Sequence, residues 1–126
     1  MPSNDDTIRD YCLHRGYSRP VVDGGANYLI KKWTTLAQSL ANGKLFIVDE
    51  FLNEVDGRGI LNELFDLMSD SEHEAIYPSI EQADALFLQH TIDAPECLWG
   101  ALNEDKYGYA RAINWWYYRE PIQGFM

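Results

Sequence analysis

Apolar residues recur at helical spacing along most of this chain. Between residues 26 and 42, Leu29, Trp33, Leu36 and Leu40 stand four, three and four residues apart, and Lys31, Lys32, Thr35, Gln38 and Ser39 cover the other side. The pattern predicts an amphipathic helix, with Asp23 as a candidate N-cap and Gly43 as the left-handed residue beyond its end. Residues 4–15 predict a shorter helix whose stripe is Ile8, Tyr11 and Cys12. Ser3 or Asn4 can cap it, Asp5 and Asp6 suit its first turn, and Gly16 can close it. Residues 17–25 read as a linker, because Pro20 biases Arg19 away from helix and Gly24 and Gly25 free the backbone.

Val48, Phe51, Leu52 and Val55 repeat the spacing in a third, short helix, although 44–48 could equally be a buried strand. Gly57 and Gly59 bracket Arg58 and interrupt the pattern. A fourth helix follows, with Leu61, Leu64, Phe65 and Met68 on one face and Asp56 as its cap. Ser79 to Gln82 has capping-box spacing and opens a fifth, whose inner face is Ile80, Ala83, Leu86, Phe87 and His90. Ser71 to Glu74 has the same spacing and predicts one extra turn before Pro78. Beyond Asp93 the pattern weakens, and 103–109 reads as a loop. Residues 113–121 are β-branched and aromatic, which favours an extended arm, with a final helix over 104–118 as the alternative. The expected fold is mainly α, five to six helices in one compact domain spanning 1–126, with an extended aromatic C-terminal arm.

Charge is divided into three blocks. Residues 49–105 hold fifteen carboxylates and a single base, Arg58, whereas 1–48 and 106–126 each carry a net charge of +2, giving −10 in total. An acidic middle of this kind attracts cationic partners and repels nucleic-acid phosphates. With 46% apolar and 13% aromatic residues the chain has enough material for a core, and disorder is not expected. No apolar run approaches the 18 residues of a membrane span, and the polar, acidic start lacks the pattern of a signal peptide. A cytoplasmic location with Cys12 and Cys97 as packing thiols is the expectation.

The tests for chemistry are mostly negative. Glu72, His73 and Glu74 lack a second histidine at metal-ligand spacing, and neither Gly57 nor Gly59 can be aligned as the glycine of a calcium loop. No nucleophile signature is present, and twenty acids give no basis for choosing a catalytic pair. No metal, no cofactor and no catalytic residue are therefore expected. Arg58, alone among acids, is expected to pair with at least one carboxylate and so tie two helices together, with Glu54, Asp56 and Glu63 as the nearby candidates. In an extended arm Trp115 and Tyr117 face one way and Trp116 and Tyr118 the other, making Trp116 and Tyr118 candidate exposed anchors. Glu72, Glu74, Glu81 and Asp84 lie in polar stretches outside the apolar stripes and are the candidate acidic interaction residues.

The segments 48–58 and 115–121 together resemble small uncharacterised bacterial helical proteins, a resemblance that implies no activity. The functional expectation is a non-enzymatic interaction module that binds a basic protein partner through an acidic face, with an immunity-type inhibitor of a cationic toxin as one form. A small enzyme or ligand-binding protein, with a pocket between the aromatic arm and the helical core, is the alternative.

Overall fold

A computed structural model describes residues 4–126, with side chains from Asp6 onward. The chain forms α1 (Asn4–Arg15), α2 (Arg19–Ala41), α3 (Val48–Phe65), α4 (Asp70–Gln89), β1 (Thr91–Asp93), α5 (Ala101–Tyr107), a 3₁₀ turn (Trp115–Tyr118) and β2 (Arg119–Pro121). Five helices and a two-stranded antiparallel ribbon thus make up a mainly α fold. Of the predicted α1 caps, Ser3 lies outside this description altogether, as do the side chains of Asn4 and Asp5. Among the described residues no helix is long and apolar enough to cross a membrane.

Glycine closes the first two helices. Gly16 has φ +74°, and the N–H groups of Gly16 and Tyr17 donate to the carbonyls of Leu13 and Cys12. Gly43, with φ +84°, repeats the motif: Gly43 and Lys44 donate to Leu40 and Ser39. These paired bonds satisfy carbonyls that the last helical turn leaves open.

Between them, residues 17–25 are not a plain linker. Arg19 already begins α2, and the helix kinks at Gly25, where φ is 55° and ψ is −140°. Pro20 is tolerated because a first-turn N–H has no intrahelical acceptor. Asp23 does not cap; it pairs with Arg9 at 3.2 Å and Arg19 at 3.1 Å.

Two predicted helices are one. α3 runs unbroken through Gly57, Arg58 and Gly59, and residues 44–47 form no strand, although Phe46 is buried. Asp56 is therefore mid-helix and not a cap. The glycines act through packing. A β-carbon at Gly59 would stand 2.8 Å from the Tyr117 hydroxyl, whereas one at Gly57 would touch Leu29 at an ordinary 3.6 Å. α4 is likewise continuous from Asp70, and its N-cap is Ser69: the Glu72 N–H donates to Ser69 Oγ at 3.2 Å. Pro78 sits inside it and has no N–H for the Glu74 carbonyl, at an exposed position.

The C-terminal third departs furthest from expectation. Residues 101–107 are helical, not loop, and 115–118 form a 3₁₀ turn, so only 119–121 are extended. They pair with β1, Thr91 opposite Pro121 and Asp93 opposite Arg119.

α2 is the central element and packs against α1, α3 and α4. Two apolar clusters form around it. One gathers Trp33, Leu40, Phe51, Val55, Phe87 and the arm residues Trp116, Tyr117 and Tyr118. The other gathers Ile8, Cys12, Leu29, Leu61, Leu64 and Ile80.

The glycine pair gives a stability test. Gly57→Ala should stabilise by about 0.5–1 kcal/mol, because helix propensity improves without a clash. Gly59→Ala should destabilise by about 1–3 kcal/mol, because the Tyr117 ring is pinned by packing and by a hydrogen bond. Urea denaturation of both variants checks this, and equal effects would contradict the packing role of Gly59.

Candidate functional site

Arg58 occupies a core position. On α3 it follows Val55 by three and precedes Leu61 by three, so its side chain enters the seam between the two apolar clusters. Its Nε and Nη2 donate to the two oxygens of Asp84 on α4, at 3.0 and 3.1 Å. The Arg58 side chain is 7% exposed and that of Asp84 21%. Trp33 on α2 donates its indole N–H to the same Asp84 oxygen at 2.8 Å. The guanidinium carbon lies 4.8 Å from the Trp116 ring centre, with Trp115 and Phe65 within 6 Å. A planar cation held along one edge by a carboxylate and packed against indole rings is arginine chemistry that lysine cannot copy.

Arg58 therefore pairs with Asp84, not with Glu54, Asp56 or Glu63. Those three have other partners: Lys32 for Glu54 at 3.3 Å, the Tyr117 hydroxyl for Asp56, and Arg15 with the Tyr17 hydroxyl for Glu63. Sequence proximity favoured partners on the same helix, and tertiary packing brought in a residue 26 positions away.

Beside this pair lies a groove of about 680 Å³. Its floor is α3, where Asp56, Gly59, Ile60 and Glu63 share a face and Asp66 continues it by one turn. Arg15 and Tyr17, from the α1–α2 corner, close one end. Trp99, Tyr107, Tyr109 and Tyr117 form the opposite wall, with Asn103 and Asn114 among them. Tyr107 stacks on Tyr109, and Tyr109 lies 4.5 Å from Tyr117 between ring centres. The groove thus combines three carboxylates, five aromatic side chains and one cation.

Two phenols are locked onto its floor. Burial first, and the hydrogen bond to Glu63 second, push the Tyr17 hydroxyl up to about 12. The same causes, with Asp56 as acceptor, raise Tyr117 well above the ordinary tyrosine range. Tyr118 is raised too, by burial and by donating to Glu104 at 2.5 Å.

The predicted interaction residues do not form one face. Glu74 and Glu81 are exposed and lie seven residues apart on the same side of α4. Glu72 accepts from the hydroxyl of the N-cap Ser69, and Asp84 turns inward to Arg58. Trp116 and Tyr118 are not exposed anchors: the 3₁₀ turn breaks the alternation of a strand, and Trp116, Tyr117 and Tyr118 are all buried. Of the groove residues, Tyr107 and Tyr109 fall in the segment whose pattern reads as a loop, and Asn114 in the aromatic end, with no spacing that singles them out. Among the described residues no three of His, Cys, Asp and Glu gather as a metal ion would require.

Comparison with family models, with curated proteins and with solved structures returned no match.

Asp84→Asn should cost about 3–5 kcal/mol in urea denaturation, because it leaves the Arg58 charge buried without a counter-charge. A loss below about 1 kcal/mol would refute a structural role for the pair. The tyrosines give a pH test. The unfolded chain ionises Tyr17 near 10, whereas the fold holds its proton to about 12, so stability is full below pH 10 and falls as pH climbs through that interval. Absorbance titration should show part of the phenol signal appearing only with alkaline unfolding, and all eight tyrosines ionising together near pH 10 would contradict it.

Proposed function

We propose that this chain is a non-enzymatic binding module that accepts a cationic group of a basic protein partner in the groove between α3 and the aromatic wall. The observation that carries the reading is the lining itself: Asp56, Glu63 and Asp66 on one side and Trp99, Tyr107 and Tyr109 on the other. Carboxylates supply charge, and aromatic faces attract a cation through their quadrupole. The same carboxylates repel phosphates, so nucleic acid is not the partner. Glu74 and Glu81, exposed on α4, add to the long-range attraction that speeds encounter. The buried, unbridged thiols of Cys12 and Cys97 suit a reducing, cytoplasmic setting.

The groove also lies where a small-molecule site would, between arm and core, and its volume is within the range of such sites. Binding is favoured over catalysis because Asp56 and Glu63 are already engaged by phenol hydroxyls.

Titration with tri-arginine, followed by tryptophan fluorescence, tests the reading. Affinity should fall as salt rises. Asp66→Asn combined with Tyr107→Ala should weaken it by about tenfold while leaving urea stability within about 0.5 kcal/mol, since both side chains are exposed. No binding, or equal binding of tri-glycine, would overturn the proposal.

A further inference from the structure

One cation lines the groove, and it is already in place. Arg15 is the last residue of α1, followed by the Gly16 turn, and its side chain reaches back to the end of the groove. Its Nη2 lies 3.3 Å from Glu63 Oε1, and its Nε donates to the Tyr17 hydroxyl at 3.3 Å. The guanidinium carbon stands 5.7 Å from the Tyr17 ring centre. Carboxylate edge and aromatic ring are the elements that also hold Arg58, so this chain binds a guanidinium twice in related surroundings. The difference is exposure: the Arg15 side chain is 51% exposed, that of Arg58 only 7%.

We propose that Arg15 is an internal stand-in for the partner's arginine, displaced from Glu63 when that arginine docks. The inference rests on the groove reading above. An exposed ion pair is weak because water and salt screen it, so Arg15 gives way readily. Glu63 does not lose its orientation when Arg15 leaves, because its second oxygen accepts the Tyr17 hydroxyl. Fork geometry selects arginine over lysine, whose ammonium cannot span the phenol and the carboxylate in one plane. In the free protein Arg15 lowers apparent affinity by occupying the acceptor, as any competing closed state does.

The test is again tri-arginine titration, with wild type, Arg15→Gln and Arg19→Gln compared. Arg19 is exposed, pairs with Asp23 and lies outside the groove lining, so its variant removes the same charge without opening Glu63. Arg15→Gln should tighten tri-arginine binding by about threefold or more, and Arg19→Gln by clearly less. Adding Glu63→Gln to Arg15→Gln should erase the gain, and tri-lysine should gain less than tri-arginine. Equal gains from the two arginine variants, or a gain that survives Glu63→Gln, would overturn the stand-in role while leaving the groove reading intact. Absence of binding to both wild type and Arg15→Gln would instead overturn the groove reading, and this inference with it.

Discussion

A single buried guanidinium ties the parts of this fold together. Arg58 projects from α3 into the seam between two apolar clusters, and its charge must be neutralised there because burying an unpaired ion is costly. Asp84 meets it from α4, Trp33 supports the carboxylate from α2, and Trp116 covers the guanidinium from the C-terminal arm. Three helices and the arm are thus fixed against one planar group. The placement of Trp116 has a consequence one residue on: Tyr117 points back over Gly59 to Asp56 and becomes part of the groove wall. The core ion pair and the candidate binding site are in this sense one construction.

Charge separation along the chain becomes charge pairing in space. The acidic middle holds fifteen carboxylates, but bases from the flanks return to it: Arg15 to Glu63, Lys32 to Glu54, Lys44 to Glu50 and Arg119 to Asp93. These pairs are largely exposed and add little stability individually. Their effect is on the surface potential. They leave Asp66 on the groove floor, Glu74 and Glu81 on α4, and other exposed acids such as Asp49, Asp70, Glu96 and Asp105 outside these pairs.

The helices that the sequence pattern reveals most clearly are those with uninterrupted stripes and a glycine at the end. α1 ends where Gly16 requires, and α2 where Gly43 does. Misreadings arise where one residue type serves two purposes. Gly57 and Gly59 look like breakers, yet they sit inside α3 for packing, and the merger explains why Arg58 continues the 55–58–61 spacing. Asp84 similarly falls between Ile80 and Phe87 on the inner face of α4, at spacings of four and three. A positive residue in one apolar stripe and a negative one in another is the signal by which the pair could have been found. The groove left a weaker trace. Its walls come from α1, α3 and the segment 99–117, and no local spacing records which tyrosine will meet which carboxylate.

The coupling between Arg58 and Asp84 is the most direct measure of the account, through a double-mutant cycle with Arg58→Met and Asp84→Leu. Each single variant strands one buried charge, whereas the double variant strands none, so the two losses should be strongly non-additive, with a coupling of about 2 kcal/mol or more. Losses that add to within about 0.5 kcal/mol would show that the two residues act independently, and that the seam between the clusters is held by apolar packing alone.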